Sequence, residues 1–121
     1  MVEEAVSAED SMVVAYYFHR TARCRTCRAI EANAYDVLTT SFHGELESGT
    51  LEWRAVNLDE PGNEHFATDY EILASTLVLV QVVDGEPGDW ANLEGVWPLV
   101  DDEEEFDSYV KEHTEGFLKD L

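Results

Sequence analysis

Apolar residues along the chain fall into runs whose spacing predicts alternating strands and helices. Residues 12–18, MVVAYYF, form an unbroken apolar run, which is typical of a strand buried on both faces of a sheet. Residues 76–85, TLVLVQVVDG, are the most hydrophobic stretch and predict a second central strand. Residues 51–58 mix β-forming and polar residues, so they predict a strand at a sheet edge. A loop of sequence DGEPGD leads to a weaker strand over residues 90–97.

The pattern after the first strand predicts a long helix. It begins near Cys24 and ends before the turn-like residues 47–50, ESGT. Its buried side is formed by apolar residues that recur at helical spacing, namely Cys27, Ile30, Ala34, Leu38 and Phe42.

Two further helices are predicted. A short one follows the turn at residues 59–62 and contains Phe66, Tyr70 and Leu73. The last begins at a cap formed by Asp101 or Asp102. Its inner face consists of Phe106, Tyr109, Val110, Phe117 and Leu121.

The predicted order of elements, β-α-β-α-β-β-α, restricts how the strands can be arranged. A right-handed crossover makes the first two strands parallel neighbours, and a short loop makes the last two an antiparallel pair. The two apolar strands belong in the middle of the sheet. The expected fold is therefore α/β, a four-stranded mixed sheet of order 2-1-3-4 with helices on both faces. Residues 1–11 are expected to form an N-terminal extension and residues 12–121 one domain.

The charge of the chain limits its partners. Asp and Glu number 27 against seven Lys and Arg among 121 residues, so nucleic acids and anionic membranes are not expected as partners. No apolar run is long enough to span a membrane. The acidic start lacks a basic segment followed by an apolar one, so a cytoplasmic location is expected.

The only two cysteines, Cys24 and Cys27, lie in the sequence RTARCRTCR together with four of the five arginines. A Cys-x-x-Cys pair can be redox-active, can bind a metal or can arise by chance. The histidines contain no pair spaced by three or four residues, as a zinc site within one chain would often need, so no metal or other cofactor is expected.

A Cys-x-x-Cys motif directly after the first core strand, at the start of the first helix, resembles the thioredoxin superfamily. The segment YEILASTLVLVQVVDGE, residues 70–86, is similar to the thioredoxin segment in which Pro-Thr precedes an apolar strand and an Asn/Asp-Gly turn. Two departures stand out. Ser75 occupies the place of the cis-proline, followed by the matching Thr76, and Tyr17 and Phe18 supply no carboxylate where thioredoxins bury an acid.

The resemblance implies thiol–disulfide exchange. Cys24, at the N-terminus of the helix, would attack a substrate disulfide, and the more buried Cys27 would resolve the mixed disulfide. The nearby cations could form a positive collar that stabilises the Cys24 thiolate: His19, Arg20, Arg23, Arg25 and Arg28. Arg25, between the cysteines, is the favoured member. Alternatively, arginines pair with acids such as Glu31 and leave little net field.

The expected site thus comprises Cys24, Cys27, Arg25, Ser75 and Thr76, with a trans peptide before Ser75. The favoured function is a disulfide oxidoreductase in cell redox homeostasis, active as a monomer on a disulfide-containing protein or small thiol with an unknown electron donor. Two alternatives stay open. One is a redox-sensing or interaction module without turnover, and the other is a metal or iron–sulfur site shared between two subunits.

Overall fold

The computed structural model describes residues 11–121, which form a single mixed sheet flanked by helices. The strands are β1 (Ser11–His19), β2 (Leu51–Asn57), β3 (Thr76–Val83) and β4 (Glu86–Asn92). Their order in the sheet is β2-β1-β3-β4. β2 runs parallel to β1, whereas β1–β3 and β3–β4 are antiparallel pairs. The predicted α/β architecture and strand order are confirmed.

Residues 11–121 contain five helical segments. Three lie between strands, α1 (Arg25–Ser41), α2 (His43–Ser48) and α3 (His65–Asp69), and two follow β4, α4 (Val96–Leu99) and α5 (Glu103–Lys119). Within residues 11–121, no helix is long and apolar enough to cross a membrane. The predicted N-terminal extension, residues 1–11, lies outside the described residues except for Ser11, which is the first residue of β1.

β1 is unbroken in its apolar character because it is covered on both faces. Alternate strand residues point to opposite sides of a sheet. Val13, Ala15 and Tyr17 belong to a core packed under α1 and α5, while Phe18 belongs to a second core beneath α3. β3 divides between the same two cores. The two central strands therefore hold the helices on both sides, and β1 ends where the cysteine segment begins.

The last strand lies earlier in the chain than predicted. Asp84 and Gly85 have φ angles of 57° and 79°, so two residues suffice for the turn, and β4 begins at Glu86. An Asp-Gly pair favours this tight hairpin because both central positions need positive φ. The segment predicted as a loop is therefore largely strand, and Pro87 is tolerated because β4 lies at the sheet edge. Trp97, predicted in a strand, lies instead in α4.

Two apolar residues predicted within helices lie outside them and are exposed. Leu73 follows the end of α3 and is 90% exposed, because α3 stops at Asp69 and the chain turns away through Glu71, whose φ is 54°. Leu121 lies beyond the end of α5 and is 38% exposed. Thr114 is buried on the inner face of α5, where its hydroxyl donates to the Val110 carbonyl at 2.8 Å. That hydrogen bond makes a polar residue acceptable in the core.

We expect Gly95→Ala to lower the free energy of unfolding by about 1–3 kcal/mol, the cost typical of overpacking. A Cβ at this position would lie 2.6 Å from Cζ of Tyr109, whose hydroxyl accepts a hydrogen bond from the Gly95 N–H at 3.1 Å. Urea denaturation of the variant measures the effect.

Gly116→Ala is the matched control, because a Cβ there meets no atom within 4 Å and the residue lies inside α5. It should raise the free energy of unfolding by up to about 1 kcal/mol through higher helix propensity. Equal effects of the two substitutions would contradict the steric argument.

Candidate active site

Cys24 and Cys27 form a disulfide at the N-terminus of α1, with their Cα atoms 5.1 Å apart. Cys24 is the N-cap residue and is exposed, whereas Cys27 lies in the first turn and is only 9% exposed. The Cys27 N–H points at the Cys24 Sγ at 3.0 Å. A backbone N–H and the positive end of the helix thus face the outer sulfur, which favours a thiolate there when the bridge is reduced.

The segment between β1 and α1 is fastened to the end of β2. The Asp59 carboxylate accepts hydrogen bonds from the Thr21 N–H at 2.9 Å and from the Arg20 guanidinium at 3.0 Å. These two donors, the Thr21 N–H first, hold the pKa of Asp59 below its ordinary value. The Asn57 amide donates to the Thr21 hydroxyl at 3.0 Å. These bonds fix the approach of the chain to Cys24.

The arginines around the cysteines have different partners. Arg20 pairs with Asp59, and Arg23 pairs with Glu31 in a half-buried contact where each side chain is 25% exposed. Arg20 and Arg23 therefore follow the alternative in which the arginines of the motif pair with acids. Arg25 and Arg28 are exposed, and neither forms an ion pair with any residue from 11 to 121. Of the four arginines in the motif, Arg25 and Arg28 are therefore the two whose charge no acid within residues 11–121 pairs with.

Tyr17 lies directly beneath the cysteines. Its side chain is fully buried, and its hydroxyl donates to the Cys27 carbonyl at 2.6 Å. Burial, reinforced by the nearby Glu31 carboxylate, raises the pKa of Tyr17 to about 12, although Ser75 and Arg23 act in the opposite direction. The phenol is therefore neutral at ordinary pH and remains a hydrogen-bond donor.

Ser75 directly precedes β3, whose Leu77 pairs with Tyr17 of β1. Its side chain lies close enough to the Tyr17 phenol to act against the rise in the pKa of that phenol, and Trp97 Nε1 donates to the Ser75 carbonyl at 2.7 Å. The peptide before Ser75 is trans, as predicted, since no peptide in the described part of the chain is cis.

Thr76 is buried, and its hydroxyl is directed to a different partner. It donates to the Asn92 side-chain oxygen at 2.7 Å. The Asn92 amide in turn donates to the Tyr70 carbonyl at 3.2 Å. This arrangement anchors the segment that leads to Ser75, so the hydroxyl of Thr76 supports the loop and does not reach toward the sulfurs.

The structure adds two residues that the pattern of the chain did not identify as part of the site. Tyr17 was named with Phe18 only as a residue without a carboxylate where thioredoxins bury an acid, and Trp97 was predicted in a strand. The position of Tyr17 on the central strand, two residues before its end, is visible in the sequence. Its contact with the Cys27 carbonyl depends on how α1 packs on the sheet. Within residues 11–121, no three His, Cys, Asp or Glu side chains come together as metal ligands.

The raised pKa of Tyr17 predicts a loss of stability at alkaline pH. The unfolded chain releases the phenol proton near its ordinary pKa of 10.0, whereas the folded protein holds it to about 12. The free energy of unfolding should therefore fall across this window, by about 2–3 kcal/mol from this group. In Tyr17→Phe most of that fall should be absent, which urea denaturation at a series of pH values would measure. Tyr35→Phe, which removes a hydroxyl from a half-exposed side chain, should keep it.

No described protein family and no curated protein matches this chain. Similar solved structures are thioredoxins. The thioredoxin of Malassezia sympodialis is 18% identical with a TM-score of 0.50, and the match covers 92% of this chain and 84% of that one. The germline-specific thioredoxin Deadhead of Drosophila melanogaster is 15% identical with a TM-score of 0.49, and the match covers 92% of this chain and 90% of that one. Fasciola hepatica thioredoxin is 18% identical with a TM-score of 0.43, and the match covers 93% of this chain and 90% of that one.

At such identities, similarity to a solved structure establishes a fold and leaves the chemistry to the residues of the site. The strand order, the position of the Cys-x-x-Cys pair at the start of α1 and the match to the Malassezia structure agree. This chain has the thioredoxin-like fold.

Proposed function

We propose that this protein is a thiol–disulfide oxidoreductase that uses the Cys24–Cys27 pair. The observation that carries the proposal is the asymmetry of the pair: an exposed sulfur caps a helix N-terminus, and a buried sulfur lies within bonding distance of it. An exposed cysteine can meet a substrate, while a buried partner can complete the exchange without leaving the fold.

The exchange proceeds in two substitutions. The Cys24 thiolate attacks one sulfur of the substrate disulfide, the other substrate sulfur leaves as a thiolate, and a mixed disulfide forms. The Cys27 thiolate then attacks the Cys24 sulfur and releases the second substrate thiol. The protein dithiol is oxidised by two electrons, and the substrate disulfide is reduced to two thiols. Run in reverse, the same steps oxidise a substrate dithiol.

The buried side of the site differs from that of a carboxylate-assisted dithiol. Tyr17 stays protonated, and its hydroxyl donates a hydrogen bond to the Cys27 carbonyl. It therefore positions Cys27 and does not accept the thiol proton. Ser75, with its own hydroxyl and N–H, is proposed to assist the exchange from the loop opposite the cysteines. Thr76 is proposed to hold that loop in place through Asn92.

A redox-sensing module without turnover is the second candidate. Tyr17 beneath Cys27 favours it, because a neutral phenol gives no base for repeated deprotonation of the inner thiol. Multiple turnover of a disulfide substrate with dithiothreitol as electron donor separates the two candidates. An oxidoreductase accelerates the reaction well above the rate of Cys24→Ser, whereas a sensor reacts once.

Substrates of the site are disulfide-containing proteins in general, or small disulfides. A cytoplasmic location and a monomeric state stay predictions from the sequence.

The roles of the cysteines predict different reactivity. Because Cys24 is exposed and Cys27 is 9% exposed, iodoacetamide should label Cys24 of the reduced protein faster. Cys27→Ser should accumulate mixed disulfides with substrate, and Cys24→Ser should not. Mass spectrometry of the labelled and trapped proteins gives the result. Trapping only through Cys27 would reverse the assignment.

The charge of Arg25 should influence the pKa of the Cys24 thiol and the reduction potential of the disulfide. Arg25→Ala should raise the pKa of the Cys24 thiol, because a cation next to a thiolate stabilises it. It should also make the reduction potential more negative, since the dithiol form loses stabilisation. The wild type should be less negative than about −270 mV, the value typical of thioredoxin. Thiol titration and equilibration with glutathione measure the two quantities.

Arg20→Ala is the matched control, because the Arg20 charge is already paired with Asp59. It should change the thiol pKa and the potential less than Arg25→Ala does. The effect of Arg25 should shrink at high salt, since exposed charges are screened over about 10 Å at 0.1 M. Equal effects of the two substitutions would remove the special role of Arg25.

A further inference from the structure

An open groove lies beside the helix that carries the cysteines. It has a volume of about 330 Å³ and is lined by Arg28, Glu31, Ala32, Tyr35 and Trp53. Four of these residues belong to α1 and the fifth to the edge strand β2. A larger groove of about 390 Å³ on the opposite face of the sheet, under Tyr16 and Phe66, includes neither cysteine nor any residue of α1.

The aromatic wall of the groove is continuous with the support of the cysteines. Tyr35 is 50% exposed and meets Trp53 edge-on, with ring centroids 5.3 Å apart. Trp53 stacks on Tyr17 at 6.4 Å with an angle of 5° between the rings. The Tyr17 hydroxyl in turn donates a hydrogen bond to the Cys27 carbonyl. A large exposed aromatic side chain on a rigid base is typical of a protein-binding surface.

The groove carries a positive charge on a protein whose formal charge is −20. The Glu31 carboxylate is engaged by Arg23, so its charge is largely compensated. Arg28 is exposed and has no ion-pair partner among residues 11–121. An acidic group is therefore attracted to this groove and repelled by most of the remaining surface.

The groove runs along α1 away from Cys24, so a polypeptide bound at Cys24 can extend into it. Arg28, Ala32 and Tyr35 follow Cys24 at spacings of four, four and three residues, which places them along one side of α1. Eleven residues at about 1.5 Å each put Tyr35 about 16 Å along the helix from Cys24. An extended peptide covers that distance in about five residues at 3.3 Å each.

We propose that this groove, resting on the function proposed above, binds an extended segment of a substrate protein next to its disulfide. The segment carries an acidic residue beside the reacting cysteine, which pairs with Arg28. It carries a large apolar or aromatic residue about five positions away, which packs on Tyr35 and Trp53. The groove thus selects polypeptide disulfides of this pattern over small disulfides.

The test uses the reduced full-length protein and three disulfides. One synthetic peptide has a single cysteine coupled to thionitrobenzoate, with Asp beside it and Phe five positions on. A second has Lys and Ser at these two places. The third disulfide is dithiodipyridine, which is small and uncharged. Release of the coloured thiol gives the rate constant for each. We expect the first peptide to react about tenfold faster than the second, the ratio that about 1.4 kcal/mol of binding produces.

Substitutions in the groove should change this preference. Tyr35→Ala should reduce the ratio of the two peptide rates about fivefold and leave the dithiodipyridine rate unchanged. Arg28→Glu should abolish or reverse the ratio, and its effect on the Cys24 thiolate is removed by dividing each peptide rate by the dithiodipyridine rate. The matched controls are Val83→Ala, which removes exposed apolar surface at the far end of β3, and Lys111→Glu on α5. Both should keep the wild-type ratio.

The outcomes separate this proposal from the proposed function. Equal rates for the two peptides in the wild type, or an unchanged ratio in Tyr35→Ala, would overturn the groove assignment while the cysteines still exchange. A dimer in sedimentation analysis that Tyr35→Ala dissociates would also overturn it, because a second copy would then occupy the groove. Failure of the proposed function gives a different result, because the wild-type protein would then react with none of the three disulfides faster than the Cys24→Ser variant does.

Discussion

The hydrogen bond from the buried Tyr17 hydroxyl to the Cys27 carbonyl joins the central strand of the sheet to the first turn of the helix that carries both cysteines. A phenol left unpaired at this depth would cost free energy, so this bond favours a helix whose first turn lies over Tyr17. The position of the first turn fixes the position of the inner sulfur. The same phenol lies near Ser75 and stacks on Trp53, so a single side chain lies between the cysteines, the loop before β3 and the neighbouring groove.

Charge is distributed unevenly around this centre. Acids pair with two of the four arginines in the cysteine motif, and each pair also has a structural role, since Asp59 holds the approach to Cys24 and Glu31 holds Arg23 beside the site. The remaining two arginines, exposed at the start of α1, supply the net positive character of the surface near Cys24. On a protein with formal charge −20, this small cationic region can both stabilise a thiolate and attract acidic substrates.

The exposed and buried sides of the site therefore have separate roles. In the function proposed for this protein, the exposed side, with Cys24, Arg25 and the groove toward Tyr35, is the side that meets the substrate. The buried side is built from neutral groups, since Tyr17 keeps its proton and the Trp97 indole binds the Ser75 carbonyl. Neutral donors can hold a precise geometry in the interior without the desolvation cost of a charge.

The sequence by itself determined the strand order, the two-faced burial of β1 and β3, and the placement of the cysteines at the start of α1, because each of these follows from local periodicity and chain connectivity. It did not determine where the hairpin turns, since DGEPGD contains more than one possible turn and only pairing with β3 selects Asp84-Gly85. It also left open which arginines are paired and which aromatic residues contact the site. Those depend on distances between segments far apart in the chain, such as Arg20 and Asp59 or Ser75 and Trp97. Such contacts have no local pattern, so only the tertiary structure decided them.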